Sequence, residues 1–312
     1  MSNNQQACAT KDVLMSDGAH IRLRRYGVPG KTRLVMSHGN GLAIDGYAVF
    51  WRRLCHEFDV VLFDMRNHGQ NRTHNLRAHT WPRFALDLEE IWTVIERAFG
   101  AALSVGVFHS LSAVATIIHA IDYGPRYAGL VLFDPPVFPP AGHAMVPVAQ
   151  ADIAGLSART RRRPTDYADP QELAAQFARR PEFKRWVPGA AEQLASATLK
   201  QCPDDARWYL RCPREYEAQV FETNADTRAW HEICRPPRVP LKLVGGDPNL
   251  ERQTAPALLC HALAKNSPCE YRFIPQTSHF LQIEEPQICA DEVSAFASKL
   301  SQHASATGSS DS

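Results

Sequence analysis

A serine hydroxyl becomes a nucleophile only when a base takes its proton and a carboxylate orients that base. Three residues of this 312-residue chain stand where such a relay can assemble: Ser110 in SVGVFHSLSA, Asp247 in LKLVGGDPNL and His279 in EYRFIPQTSHF. Each follows a short apolar run of strand character, and in parallel sheets reacting groups gather just beyond the carboxyl ends of strands. Ser110 reads as a serine held on a sharp turn between a strand and a helix, exposed at the end of the sheet. The usual turn is Gly-x-Ser-x-Gly, and here Phe108 and Ser112 occupy the two glycine positions. A phenylalanine there must point its ring away or widen the turn. Each residue also has a plainer use: Ser110 as a helix cap, Asp247-Pro248 as a turn opener, His279 as loop surface. The order of all three along the chain favours chemistry.

The elements that must position them are legible as apolar runs and periodicities. Asp17-Gly18 marks a hairpin between two strand-like runs over 11–26. RLVMSH (33–38) is a strand ending in the loop His38-Gly39-Asn40-Gly41; a helix is expected over 46–57, and VVLFD (60–64) is the next strand. Phe84, Leu88, Ile91 and Ile95 repeat at helical spacing over 82–99, ended by Gly100. VGVFH, a helix over 111–123 and the strand GLVLFD (129–134) follow. Ser104 in ALSVG also fits a small-x-Ser-x-small pattern, but a nucleophile there would turn the apolar run VGVFH into a helix; it is better placed at the strand's start.

This alternation predicts an α/β fold with a mostly parallel central sheet covered by helices. It breaks at PPVFPP (135–140) and resumes at PLKLVGG (240–246), a helix over 252–264, EYRFI (270–274) and a final helix over 286–301. The intervening block shows helical patches near 170–180, 190–200 and 214–233 and no convincing strand. The predicted organisation is therefore a core of residues 11–136 and 238–302, a helical cap over 137–237, and flexible ends at 1–10 and 303–312.

Composition excludes other classes. Lys+Arg number 34 against Asp+Glu 33, which argues against nucleic acid and acidic membrane surfaces as partners. The cap arginines (Arg159, Arg161, Arg162, Arg163, Arg179, Arg180) are nearly balanced by acids such as Asp204, Asp205, Glu215 and Glu217, as on a solvated helical surface. The eight cysteines have no close repeated spacing, so neither a zinc site nor a disulfide framework is expected. The polar start MSNNQQACATKD lacks an apolar core, so no signal peptide is expected and the expected compartment is the cytoplasm.

Four stretches together resemble the α/β-hydrolase superfamily, in a form with an inserted cap: MSHGNGL (36–42), FDMRNHGQN (63–71), FHSLSA (108–113), and the pair VGGDPNL (244–250) with TSHFLQIEEP (277–286). The second satisfies Asp-x-Arg-x-His-Gly through Asp64, Arg66, His68 and Gly69. The resemblance implies Ser110 as nucleophile, His279 as general base and Asp247 as its orienting acid, with Asp134 the rival because some members place the acid there. It assigns the oxyanion to the backbone N–H groups of Asn40 and Leu111. Asn40, His109 and Phe280 are expected to contact substrate, and Trp186, Trp208 and Tyr209 to line the pocket, while His38, Asp64, Arg66 and His68 brace the loops below. The implied chemistry needs no cofactor or metal: cleavage of a small to medium acyl compound, a carboxylic ester by default. A thioesterase, lactonase, C–C bond hydrolase or acyltransferase would use the same triad. A serine argues against epoxide hydrolases and haloalkane dehalogenases, whose nucleophile is aspartate. A non-catalytic binder on the same scaffold is the rival from outside enzymology.

Overall fold

The computed structural model describes residues 6–308. The hairpin comprises strands β1 (Ala9–Leu14) and β2 (His20–Gly27), joined through the expected Asp17-Gly18 turn. Alternation follows with β3 (Arg33–Met36), the short helix α1 (Ala48–Trp51), β4 (Asp59–Phe63), α2 (Trp81–Phe99), β5 (Ser104–His109), α3 (Leu111–Tyr123) and β6 (Gly129–Phe133). Ser104 opens β5, as its rejection as a nucleophile requires. Of the flexible end expected over 1–10, residues 1–5 lie outside the described residues, and Ala9 and Thr10 pair with Arg25 and Arg24 in the hairpin. The helix expected over 46–57 is instead a 3-10 turn (Ile44–Tyr47), the four-residue α1 and a series of turns.

The block expected to form a cap contains α4 (Val146–Arg161), β7 (Asp166–Tyr167), α5 (Pro170–Ala178), α6 (Ala190–Thr198), β8 (Leu199–Gln201), β9 (Trp208–Leu210) and α7 (Arg214–Glu222). It is therefore not purely helical: β7, β9 and β8 form a small antiparallel sheet around the buried Tyr167, Leu199 and Leu210. The patch expected over 214–233 splits into α7 and α8 (Arg228–Ile233), and α8 buries Trp230 and Ile233 in the main core rather than in the cap. The chain closes with β10 (Leu241–Gly245), α9 (Ala255–Lys265), β11 (Glu270–Phe273), the short α10 (Leu281–Glu284) and α11 (Pro286–Gly308). That last helix continues to Gly308; of the flexible tail expected over 303–312, residues 309–312 lie outside the described residues. Among the described residues, no helix is long and apolar enough to cross a membrane.

The main sheet has the order β1-β2-β4-β3-β5-β6-β10-β11, with the first two pairings antiparallel and the others parallel. Its central strands are apolar on both faces because helices cover both. Along β4, Val61 and Phe63 enter one core with α2 and α3, while Val60 and Leu62 enter the other with α1 and α11. The same alternation places Leu130 and Leu132 of β6 on the first side and Val131 and Phe133 on the second. α2 and α3 are thereby clamped beneath one face, and every parallel strand delivers its carboxyl end to one rim of the sheet.

Candidate active site

At that rim β5 ends and α3 begins, with Ser110 between them at φ 52°, ψ −114°. A positive φ on a non-glycine residue is strained, and here it is fixed by bonds on both sides: Ser110 N–H donates to the Phe133 carbonyl (3.0 Å), and its carbonyl accepts from Val114 N–H (3.0 Å). The two missing glycines have definite replacements. Phe108 turns its ring down into the α2/α3 core against Phe63 and Tyr127. Gly106, two residues back on the same face, makes room for it: a Cβ there would lie 2.7 Å from the Phe108 ring. Ser112 becomes a clamp, its hydroxyl accepting from His109 N–H (3.1 Å) and donating to the His109 carbonyl (3.0 Å).

His279 meets this turn from the loop after β11. Its Nε2 lies 3.0 Å from Ser110 Oγ and its Nδ1 2.7 Å from Asp134 Oδ2. Asp134 is wholly buried at the end of β6, and its Oδ1 accepts from Gly246 N–H (3.3 Å). Asp247, expected in this position, does not contact His279. Its Oδ1 accepts from Asn249 N–H and its Oδ2 from Gln276 N–H, both at 2.8 Å. Burial pushes its carboxyl up, but these amide bonds outweigh it and hold the group below the ordinary carboxylate value. The correction follows from lateral strand order. β6 lies next to β5, whereas β10 is one strand farther out, so the acid nearer to Ser110 belongs to β6. Asp247 is the Asx turn that its Asp-Pro-Asn sequence also announced, and it shapes the loop bearing His279.

The His38–Gly41 loop passes directly over Ser110. A Cβ on Gly39 would lie 3.2 Å from Ser110 Cβ and 3.0 Å from His109 Nδ1, a tight fit that a side chain could enter only if these neighbours gave way by a few tenths of an ångström. The N–H groups of Asn40 and Leu111, the expected oxyanion donors, have no acceptor among the described residues. The Asn40 amide instead reaches the cap, its Nδ2 donating to the Glu217 carbonyl (2.8 Å) and its Oδ1 buried without a partner. His109, expected to touch substrate, is fully buried and has both ring nitrogens engaged, with Tyr47 Oη (2.7 Å) and the His279 carbonyl (2.9 Å). It belongs beneath the site, and Tyr47 is a residue that sequence reasoning missed; nothing in its local sequence marks it.

The loop-bracing residues form a second buried layer. Asp64 accepts from Ile44 and Gln70 N–H, His38 Nε2 from Met65 N–H, and His68 Nε2 from Gly41 N–H. Arg66 bonds Asp87 and Asp17. Burial lowers the basicity of His38 and, more strongly, of His68. His68, His79 and Cys212 bring donor atoms within 4.8 Å of one another. They are not arranged to hold a metal: the His68 lone pair is taken by Gly41 N–H, and His79 Nδ1 accepts from the Asn67 amide, leaving its proton on Nε2.

Over His279 lies an aromatic wall. Phe280 packs against His279, and the cap's Phe183 and Trp186 pack against Phe280 at 5.3 and 5.1 Å between ring centroids. Trp186, expected to line the pocket, packs against Phe280. Trp208 packs instead in the cap's own core, and Tyr209 donates to Asp205 on an exposed hairpin. Ser110 is only 8% exposed.

The model of the alpha/beta hydrolase family matches residues 34–292. No curated protein matches the chain by sequence. Among solved structures it is similar to E-2-(acetamidomethylene)succinate hydrolase, at 17% identity over 92% of this chain and 98% of that one, with a TM-score of 0.74. It is also similar to a thermophilic esterase from Thermogutta terrifontis, at 19% identity over 94% and 99% (TM-score 0.67). A thioesterase domain from the curacin biosynthetic pathway shares 17% identity over 94% and 99% (TM-score 0.64). At these identities the likeness is one of fold.

Proposed function

We propose that this chain, which belongs to the alpha/beta hydrolase family, is a serine hydrolase that cleaves a small to medium carboxylic ester through an acyl-enzyme. The observation that supports this most is the line of bonds Ser110 Oγ, His279 Nε2, His279 Nδ1, Asp134 Oδ2, at 3.0 and 2.7 Å. In the reaction, Ser110 Oγ attacks the acyl carbon while His279 Nε2 takes its proton, and the imidazolium is stabilised by Asp134. The carbonyl oxygen, now an anion, accepts from the Asn40 and Leu111 N–H groups, each contributing about 3–4 kcal/mol. Collapse expels the alcohol, which receives the proton from His279 and leaves Ser110 acylated. Water then enters, gives a proton to His279 and attacks the acyl carbon; the acid departs and Ser110 recovers its hydrogen.

The default to an ester rests on the triad; beside it, the rings of Phe183, Trp186 and Phe280 pack together against His279. Thioester or lactone cleavage would use the same steps with a different leaving group. The test pairs a fluorophosphonate probe with a series of p-nitrophenyl esters of rising chain length. Wild type should label at Ser110 and hydrolyse the esters, and Ser110→Ala should do neither. Equal labelling of both proteins would refute the serine assignment, and no labelling of wild type would favour a binding protein.

A further inference from the structure

The hydrogen bonds beneath the nucleophile run in one direction only, and that direction can be deduced. The His279 carbonyl can only accept, so His109 Nε2, 2.9 Å away, carries the proton. The neutral ring then presents a lone pair at Nδ1, and the Tyr47 hydroxyl, 2.7 Å away, donates to it. With its hydrogen committed, Tyr47 Oη accepts from Gly39 N–H at 3.3 Å. Tyr47 and His109 are at most 1% exposed, so no water substitutes for a missing partner at low cost. Protonation of His109 would place Nδ1–H against the Tyr47 hydroxyl and leave the hydroxyl hydrogen without an acceptor in this chain. Burial, reinforced by repulsion from His279, holds its basicity well below the ordinary value and prevents this.

The ends of the chain are what give it meaning. Gly39 precedes Asn40, whose N–H faces the developing oxyanion in the proposed reaction. The other end grips the backbone of His279, whose ring lies 4.6 Å from the His109 ring. His109 is itself the residue before Ser110, held in place by the Ser112 clamp. Three loops distant in sequence, bearing the nucleophile, the base and an oxyanion donor, thus meet on one buried imidazole.

We propose that His109 and Tyr47 are positioning residues that hold the His279 backbone and the Gly39–Asn40 peptide in register with Ser110, an inference that rests on the serine-hydrolase reading above. Neither touches substrate; both act through the groups they hold. A misplacement of about 1 Å at such a site costs on the order of 100-fold in rate.

The experiment is a double-mutant cycle on p-nitrophenyl acetate hydrolysis with His109→Phe, Tyr47→Phe and the pair, each checked for folding by thermal melting. Each single variant should lose roughly 10- to 100-fold in kcat with KM within about twofold of wild type. The pair should lose no more than the worse single variant, because either change breaks the same chain. His109→Gln, which keeps a donor toward the His279 carbonyl, should recover most of the loss relative to His109→Phe. Should His109→Phe fail to fold, Tyr47→Phe and His109→Gln still decide the matter. The proposal is overturned if the single variants keep kcat within twofold of wild type, if their losses multiply in the pair, or if KM alone rises. Fluorophosphonate labelling separates the two levels. Labelling lost in Ser110→Ala but unchanged in rate in the Tyr47 and His109 variants removes the positioning role alone, whereas labelling retained in Ser110→Ala removes the hydrolase reading beneath it.

Discussion

Replacing Asp134 by asparagine tests the proposed triad at the point where strand order and chain order disagree. Asp134 Oδ1 accepts from Gly246 N–H and Oδ2 receives the Nδ1 proton of His279. An asparagine must leave its carbonyl oxygen on Gly246 N–H, since an NH₂ cannot accept there. Its NH₂ group then faces His279 Nδ1, which has to become the acceptor. The imidazole switches tautomer, and Nε2 points a proton instead of a lone pair at Ser110 Oγ. A base held in the wrong tautomer costs roughly 10⁴-fold in kcat, about 5.5 kcal/mol of transition-state stabilisation, as in serine proteases. Asp247→Asn has a different expected effect. It weakens the amide bonds from Asn249 and Gln276, at about 1–3 kcal/mol of stability, while leaving the tautomer of His279 alone. The assay is steady-state hydrolysis of p-nitrophenyl acetate for kcat, with urea denaturation for stability. If Asp134→Asn stays within tenfold of wild type while Asp247→Asn loses a thousandfold or more, the assignment of the acid to β6 is wrong.

Two further outcomes follow from the scaffold. Ser112→Ala removes the hydroxyl that clamps the His109 peptide and leaves its buried N–H without this acceptor; it should cost about 1–3 kcal/mol in urea denaturation and slow fluorophosphonate labelling of Ser110. Asp17 is pushed up by its partial burial, but bonds from Arg66 and from Ala19 N–H outweigh this and bring its pKa from 3.8 down to about 2. A folded pKa below the unfolded one means the stabilisation is fully present above about pH 4 and is lost as pH falls through about 2. Asp17→Asn should therefore be less stable than wild type by on the order of 2 kcal/mol at pH 7, with the difference shrinking in denaturation curves taken below pH 4. A difference that stays constant with pH would show that the Arg66 pairing is not its source.

The elements that frame the site were legible because their signals are local. The strand–turn–helix around Ser110 starts and stops where the apolar run and Gly124 say it should, and α2 buries the stripe Phe84, Leu88, Ile91 and Ile95 read from spacing. The aspartate that meets His279 was not legible for a non-local reason. Asp134 and Asp247 both end apolar strands, and which one reaches His279 depends on β6 lying between β5 and β10, an order that no stretch of sequence contains. The cap resisted for another reason. α4 buries only Ala149, Ser157 and Thr160, so its apolar residues make no helical stripe, and β7 to β9 are too short for a period-two pattern. His109 and Tyr47 show the limit from the other side: their types are visible, but the partners that define them lie 170 and 62 residues from His109 in the chain.

The departures at Phe108 and Ser112 show what the glycines of such a turn are for. A glycine two residues before the nucleophile is needed only if a side chain there has nowhere to go, and Gly106 together with the Phe63 and Tyr127 rings provides that place. A glycine two residues after it lets the helix approach the strand end, and a serine can stand there if its hydroxyl bonds the very peptide it approaches, as Ser112 does with His109. The steric demand has not vanished; it has moved to Gly39, where a Cβ would press on Ser110 and His109 together. A match to the turn pattern therefore tests the wrong positions in this chain. The physical requirement is that backbone come close to the serine from the loop above and that the strand end be held from within, and other residue types satisfy both.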